Sequence, residues 1–569
     1  MLFLPQRYPK ITFILICLAM NDLGNTVPER NYNTTRRRDD DDDDGCSEAA
    51  NLLPDRLSEL PESLLVQILS LLRIEEAVRT GVLSTRWKNL WNHIDNIIII
   101  YPLKKNKTWC DSEQKRFISI VDQTLTRLTC PNIKLFSLST STDGLDNWLH
   151  WVYSRNVEFL QLDYMGHRYT PPEWFFHLSS LVHLDIARCD FINLGSVVSW
   201  TSLKSLSLSN VIISDEQISM ILSGCPVLED VVFDNIISDL YLDDDDDVVT
   251  LLNIVSPSVK TLTVIPLDGI DTMELLEINA PSIQYLEILG DSYCLDIRLI
   301  NVSSLVKANL DYACYDEDDS SIEEDYDGDF PGGPTKLNVD DFHLLVATRL
   351  LKSVCHLEEL EFGPQLIQAL SILKLWHKPC PLFSCKHLTL HLRVLRYELP
   401  GIAYLLQNSP RLETLVIKVK EPCTTYQTNF SLYLNRICKF EGDAYLRRER
   451  GDFLRLKNMK ISHFLSLCCH NELTRRNKEY CGFELAAYIV KSACVLEKLA
   501  ITSAEDDLCN CPTNCSMRYV SLLSHKSWHS FCDGKEVCEW KLRKKSPCQI
   551  LFSNARWMSP NSVNLRNHI

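Results

Sequence analysis

No phosphate-cradling glycine loop, dinucleotide glycine fingerprint, Gly-x-Ser-x-Gly elbow or His-Glu-x-x-His pair occurs in the 569 residues, and each absence removes one common route to catalysis. Scattered Ser, His and Asp residues exist, but linear order does not bring them together, so no catalytic residue and no cofactor is assigned. A bilayer-spanning run is missing too. Ile11 to Met20, ITFILICLAM, falls short of the roughly 20 apolar residues a transmembrane helix needs. Arg7 and Lys10 give it the positive start of a secretory signal, yet no convincing small-residue cleavage site follows. It reads as an unstructured extension, with Met20 as an alternative start and no membrane partner.

A basic surface is lacking as well. The net charge is -17, but Asp39 to Asp44 supply six carboxylates, Asp243 to Asp247 five and the stretch 311–329 ten; without these 21 the remainder is +4. A nearly balanced remainder excludes a general nucleic-acid footprint, and the acidic runs read as solvated loops. There is no disulfide framework either. The 23 cysteines are odd in number and lie inside apolar segments, as at Cys189, Cys225, Cys355 and Cys494. Reduced thilos of this kind act as small hydrophobes, which fits the cytoplasm or nucleus.

What is present begins with Asp55 to Trp91, DRLSELPESLLVQILSLLRIEEAVRTGVLSTRWKNLW. Pro61 suits a first helical position, and Leu64, Leu65, Ile68, Leu69 and Leu72 recur at helical spacing. Ile74 to Thr80 predicts a short second helix, and Ser84 reads as the N-cap of a third that carries Arg86, Trp87, Leu90 and Trp91. So short a unit rarely buries enough surface by itself. Its surplus apolar residues are expected to meet another protein.

Leu60-Pro61, Ile68-Leu69, Val82-Leu83-Ser84 and Arg86-Trp87 with Leu90-Trp91 closely resemble the F-box of plant F-box, leucine-rich-repeat and FBD-domain proteins. The resemblance implies docking on a Skp-type adaptor and, through it, on a cullin, with the protein serving as substrate receptor of a ubiquitin ligase. The implied adaptor contacts are Leu60, Pro61, Leu65, Ile68, Leu72, Val82, Leu83 and Trp87. Gly81 departs from the family, which often carries a side chain there, and its low helix propensity is expected to shorten the second helix.

Beyond the module, Asn96 to Tyr101 predicts a strand and Phe117 to Leu128 a helix. A repeat follows. Val157-x-x-Leu160-x-Leu162 recurs at Leu181, Leu203, Leu228, Val259 and Ile283, the fourth positions lying 24, 22, 25, 31 and 24 residues apart. That interval is the leucine-rich repeat's, one short strand per unit in a parallel sheet. The longest gap holds the five aspartates and reads as a loop insertion. A weaker unit starts at Leu305, and clear ones resume at Leu357, Cys385 and Leu412. Returning helices are expected at Asp215 to Leu222, Asp340 to Val354 and Ile402 to Asn408. Alternating positions such as Gln161, Asp163, His183, Asp185, Ser205, Ser207, Gln284 and Glu287 would line the exposed strand face, where solvation alone accounts for their polarity.

From Leu454 to Ser503 the chain resembles the family's FBD domain: a strand with Leu456, Met459 and Ile461, a helix from Phe483 to Ser492, and a closing strand with Leu496, Leu499 and Ile501. In the tail, Cys511-x3-Cys515 and His525-x3-His529 are separated by only nine residues, too few for a zinc finger, so no metal is assigned. The expected fold class is α/β, a three-helix F-box followed by an irregular leucine-rich-repeat solenoid with a parallel sheet and an FBD-like cap. The expected divisions are 1–50 extension, 51–98 F-box, 99–435 repeats, 436–505 FBD-like domain and 506–569 a poorly ordered Cys-rich tail. Three functional classes fit: a non-catalytic ligase receptor for an unknown protein target, an F-box interaction protein outside any ligase, and a secreted repeat protein with sequons at Asn106 and Asn301. The scattered cysteines weigh against the last.

Overall fold

The structure, a computed structural model, describes residues 60–100, 111–142, 145–166, 168–191, 197–237, 250–266, 273–292, 294–314, 337–420, 451, 453–462, 482–502 and 549–553, with isolated positions between 430 and 449. The chain divides into two compact units, Met1–Val157 and Glu158–Ile569.

In the first unit, α1 (Glu62–Leu69) starts one residue later than expected, with Pro61 as its N-cap at ψ 146°. The Pro61 carbonyl accepts from the amides of Leu64 and Leu65 at 3.0 and 3.2 Å, so proline contributes as an acceptor ahead of the helix. Helix α2 (Ile74–Arg79) gives way to a 3₁₀ turn, Thr80–Val82, the shortening expected of Gly81. The expected third α-helix is instead a 3₁₀ segment, Trp87–His93, entered from Arg86 with no side-chain cap. Ser84 is therefore not its cap. Packing helps hold the segment: Trp87, Leu90 and Trp91 are all buried. The Arg86 guanidinium donates to the Leu60 carbonyl and ties this segment to the start of α1.

Strand β1 (Asn96–Ile100) leads to α3 (Asp111–Arg127) and β2 (Leu135–Thr140). The two strands pair in parallel, Ile97 opposite Phe136 and Ile99 opposite Leu138. Ile133-x-x-Phe136-x-Leu138 thus has the repeat's spacing, hidden in the sequence by isoleucine and phenylalanine at the positions where leucine is diagnostic. Helix α4 (Leu145–Tyr153) also escaped the sequence pattern; the Trp148 Nε1 donates to Asp122 Oδ1 at 2.7 Å and fastens it to α3.

The second unit runs β3 (Phe159–Tyr164), β4 (His183–Ala187), β5 (Ser205–Ser209), α5 (Asp215–Ser223), β6 (Asp230–Asp234), β7 (Thr250–Val255), β8 (Thr261–Ile265), β9 (Met273–Asn279), β10 (Tyr285–Ser292), β11 (Cys294–Ile300) and β12 (Lys307–Cys314). It continues with α6 (Leu337–Val354), β13 (Glu359–Phe362), α7 (Pro364–Leu375), β14 (His387–Leu392), α8 (Leu399–Gln407), β15 (Thr414–Val419), β16 (Asn458–Ser462), α9 (Gly482–Ser492), β17 (Lys498–Thr502) and β18 (Gln549–Ser553). The main sheet follows the order β3-β4-β5-β6-β8-β10-β12-β13-β14-β15-β16-β17-β18. Each pair is parallel, and Leu160, Leu184, Leu206, Val231, Leu262, Leu286 and Ala308 fall in one row, continued by Leu360, Leu388, Leu415, Met459 and Leu499. Through Leu415 these are the fourth positions of the sequence repeat, while Met459 and Leu499 come from the FBD-like segment, and all are buried.

Connections return over the other side. Where helices were expected, α5, α6 and α8 stand, and α7 adds one that the sequence reading lacked. Between β6 and β12, however, the returns are strands: β7, β9 and β11 make a second, three-stranded parallel sheet. Their segments, such as LLNIV and LDIRLI, alternate too briefly to reveal a partner before the fold brings them together. The chain leaves β4, β5 and β6 through Arg188, Asn210 and Asn235 at φ 62, 55 and 56°, a left-handed conformation that asparagine tolerates better than most residues. Their amides bond to the next strand, as Asn210 N does to the Asp234 carbonyl at 2.8 Å.

The FBD-like segment carries on the same register instead of forming an end. Met459 lies opposite Leu415, Leu499 opposite Met459, and β18, inside the segment expected as a poorly ordered tail, pairs with β17. The rest of that tail, with the His and Cys pairs, lies outside the described residues, as do the apolar N-terminus and the three acidic runs except for Asp311. Among the described cysteines none is bonded to another; Cys189 and Cys225 are buried as expected, and burial pushes both thiols up to about 12. Cys355 is only half-buried and Cys494 exposed.

Helices α7 and α8 touch closely at Gly401, where an added Cβ would stand 2.0 Å from the Ile367 carbonyl oxygen. Beside that contact lies Glu398, 1% exposed. The amide of Leu395 donates to its Oε2 at 2.9 Å, while Oε1 has no partner among the described residues. Burial pushes this carboxyl up to about 7, against the opposing effect of the Leu395 amide.

Two predictions follow from these contacts. Stability contributed by neutral Glu398 is complete below about pH 4.5 and is lost as pH rises through about 7, because the unfolded chain releases the proton first. Glu398→Gln, which cannot ionise, should therefore gain on the wild type between pH 4.5 and 8 by on the order of 3 kcal/mol; a urea-midpoint difference that stays constant with pH would refute this. At Gly81 an added Cβ meets Lys88 no closer than 3.4 Å and the backbone is not left-handed, so Gly81→Ala should stabilise the F-box by about 0.5–1 kcal/mol in thermal unfolding.

Candidate functional site

Two surfaces stand out, one in each unit. In the F-box the broad apolar face of α1 is split lengthwise. Leu65 and Leu69 are fully buried and join Ile74, Ala77, Trp87, Leu90 and Trp91 in the module's core. Leu64 and Leu71, 43% and 52% exposed, lie outside it on a stripe with the half-buried Ile68 and Leu72. Leu64 and Ile68 lie on α1 and Leu71 and Leu72 on the turn that follows it, an exposed apolar strip of the kind that meets a partner.

The same division runs through the residues implied by resemblance. Val82 is 88% and Leu83 52% exposed; Pro61 is exposed, and Leu60, Ile68 and Leu72 are half-buried. Leu65 and Trp87, by contrast, are inside the module, so in this arrangement they support the surface from beneath without presenting a side chain to a partner. The structure adds Leu71 and Val78 to the outer set, Val78 being 38% exposed. For Leu71 the available signal was its place seven residues after Leu64.

In the second unit the residues between the buried row point the other way, because side chains alternate along a strand. Gln161, Asp185, Ser207, Val232, Thr263, Glu287 and Asn309 form one outward row across β3 to β12, polar except at Val232. Gln284 does not belong to it; it precedes β10, and its carbonyl accepts from the Lys307 amide at 3.1 Å. Burial raises the Asp185 carboxyl, against hydrogen bonds from Ser207 and Gln161, and raises the Asp234 carboxyl against one from Ser209.

Further along, a charged network crosses four strands. His391 Nε2 lies 3.1 Å from Glu361, and its Nδ1 3.2 Å from Asp311. Lys307 and Lys418 approach Glu361 at 3.1 and 3.5 Å, and Lys420 approaches Asp311 at 2.6 Å. The hydrogen bond from His391, aided by Lys307 and Lys418, holds the Glu361 carboxyl down at about 2. Burial, with Glu287 alongside, pushes the Tyr285 hydroxyl up to about 12. These groups satisfy one another across the strands. Among the described residues no group of three or more His, Cys, Asp or Glu side chains is placed to hold a metal ion, and no helix is long and apolar enough to cross a membrane.

Comparison with known proteins matches residues 57–98 to the F-box domain and residues 145–310 to the LRR repeats of the FBD-associated F-box protein At5g56370. The chain is 31% identical over 384 residues to the putative F-box/LRR-repeat protein At5g02930 of Arabidopsis thaliana, covering 65% of this chain and 74% of the relative. It is 30% identical over 390 residues to the F-box/LRR-repeat protein At3g03360 of the same plant, covering 67% and 74%. With the putative F-box protein At1g49610, also from Arabidopsis thaliana, it shares 31% over 369 residues, covering 64% and 84%. An F-box module with an outward apolar stripe, a register-perfect parallel ladder of leucine-rich units and these relatives together establish that the chain belongs to the plant F-box/LRR-repeat family.

Proposed function

We propose that this F-box protein is the non-catalytic target-recognition subunit of a ubiquitin ligase and works in the cytoplasm or nucleus. F-box domains generally bind Skp-type adaptors; here the adaptor would lie on Leu64, Leu71, Val82 and Leu83 and connect through itself to a cullin. The repeat sheet would hold the protein to be modified. The observation that carries this reading is the separation within the F-box of a buried core from exposed aliphatic side chains, chiefly Val82 at 88% exposure. A valine so exposed contributes little to folding and much to a hydrophobic contact.

The mechanism is proximity. A target held by the sheet and a ubiquitin-charged enzyme held by the cullin meet at an effective concentration that free diffusion does not supply. No side chain of this chain needs to touch the reacting atoms. What it contributes is two simultaneous, independent attachments.

The roles of inner and outer residues separate experimentally. Val82→Asp with Leu71→Asp should leave the thermal midpoint nearly unchanged, within about 0.5 kcal/mol of stability, yet abolish recovery of adaptor and cullin in affinity purification of the full chain. Leu60→Ala with Pro61→Ala should act in the same direction. Leu65→Ala should instead cost the F-box about 2–5 kcal/mol by leaving a cavity. Undiminished adaptor recovery by the outer variants would overturn the docking assignment; recovery of adaptor without cullin by the wild type would place the protein outside a ligase.

A further inference from the structure

The outward face of the main sheet is electrically divided. Strands β3, β4, β5, β6, β8 and β10 contain no Lys or Arg, and Asp163, Asp185, Asp230, Asp234 and Glu287 occupy outward positions on them. Strands β14 to β17 reverse the sign, with Lys418, Lys460 and Lys498 and no Asp or Glu. Between the halves lie β12, which carries both signs in Lys307 and Asp311, and β13, whose Glu359 and Glu361 face lysines of nearby strands.

Neutral groups satisfy much of the acidic half. Asp163 is paired with Arg188, but Asp185 accepts from Gln161 at 3.0 Å, and Glu287 accepts from the Tyr285 hydroxyl at 3.1 Å and Asn309 Nδ2 at 2.6 Å. Thr263 adds a weaker donor to Glu287 at 3.4 Å. Among the described residues no Lys or Arg side chain pairs with Asp185, Asp234 or Glu287. Lys307, the nearest strand lysine, is 3.1 Å from Glu361 and 3.9 Å from Glu359, with its ammonium 5.4 Å from the Tyr285 ring centre. Half-buried carboxylates without a counter-charge are costly, and a cation that reaches them recovers part of that cost.

Asn309 supplies an independent sign. It is only 7% exposed, and its Oδ1 has no hydrogen-bond partner among the described residues. It lies on the outward side of β12, since its neighbours Ala308 and Leu310 are fully buried on the inner side. The Nδ2 contact to Glu287 fixes which way the amide faces: turning it over would set one oxygen against another. An enclosed acceptor beside an uncompensated carboxylate calls for a donor that carries positive charge.

We propose that the β3 to β10 face binds a basic segment of the target, with one Arg or Lys side chain laid across Glu287 and the Asn309 amide so that it donates to both Glu287 and the Oδ1 of Asn309, and with acidic residues of the same target lying towards Lys418, Lys460 and Lys498. This rests on the reading of the repeat unit as the target-binding surface and adds the chemistry of what it binds. Arginine fits both acceptors well, because its guanidinium offers several donors in a fixed plane. The opposed signs of the two halves also give the target a direction along the sheet, since a reversed segment would set like charges together.

The test uses the full chain and fluorescein-labelled octa-arginine, with octa-glutamate for the basic half, read by fluorescence anisotropy at about 0.15 M ionic strength. Glu287→Gln and the pair Asp185→Asn with Asp234→Asn should each weaken octa-arginine by about tenfold. The charge-matched pair Glu173→Gln with Glu216→Gln, in the connections that follow β3 and β5, should leave it within about twofold, as expected for a change outside the site. Asn309→Asp should tighten octa-arginine and raise the thermal midpoint more in its presence than the wild type shows, a gain that a purely structural asparagine would not give. Lys418→Ser with Lys460→Ser should weaken octa-glutamate alone. Equal loss from the face pair and the Glu173/Glu216 pair, or no change from Glu287→Gln in a chain that still melts like the wild type, would overturn the proposal. Because the readout needs no adaptor, its failure leaves docking through Val82 and Leu71 standing, and failure of that docking leaves this result intact.

Discussion

Burial of the leucine row between successive strands is the interaction on which the repeat unit depends. A single strand of five or six residues with apolar side chains at alternate positions has nothing to bury them against, and only its neighbours complete the enclosure. Leu184 is covered because Leu160 and Leu206 stand beside it in register. A shift of one residue would turn the whole set to solvent. This is why the ladder keeps its register through departures in repeat length, including the long interval between β12 and β13, where Ala308 still faces Leu360.

The same alternation frees every second residue for recognition. Once leucines are committed inward, positions such as Asp185, Glu287, Asn309 and Lys418 bear no packing duty and can differ from strand to strand. Their polarity is then a property of the sheet as a whole. Four of the six strands from β3 to β10 contribute one or two carboxylates, at the close spacing of strands in a sheet, and their sum makes an acidic half that no single unit would reveal. Elsewhere pairs neutralise each other across strands, as Lys260 does with Glu229 at 2.9 Å and Lys386 with Glu358 at 2.7 Å. Exposed pairs of this kind contribute little stability, but they consume charge that would otherwise be available to a ligand.

The F-box meets the same constraint at a smaller scale. Two short helices and a 3₁₀ segment enclose Leu65, Leu69, Trp87, Leu90 and Trp91, and no enclosed volume is left for Leu64, Leu71 or Val82. The apolar surplus is the result of a core too small for its hydrophobic content. A docking surface made this way is separable from stability, since its side chains are already outside the core. Its supporting residues are not separable, which is why Leu65 and Trp87 belong to a different physical role from Val82 and Leu83.

Local spacing by itself determined the repeat row from Leu160 to Leu415 and the returning helices α5, α6 and α8; the F-box, with Leu60-Pro61 and Val82-Leu83, was legible through its resemblance to a known family. The row and the helices were legible because burial imposes a short-range period that a linear string retains. It did not disclose β2, whose isoleucine and phenylalanine blur the period, nor the second sheet of β7, β9 and β11, whose segments acquire partners only when distant units stack. Nor did it divide α1 into inner and outer stripes, because Leu64 and Leu65 are the same residue type one position apart. Tertiary structure decided which leucines are core, which carboxylates lack a cation, and that the Asn309 amide is enclosed beside Glu287. Those are properties of what surrounds a side chain in three dimensions, and neighbours from strands more than twenty residues away supply them.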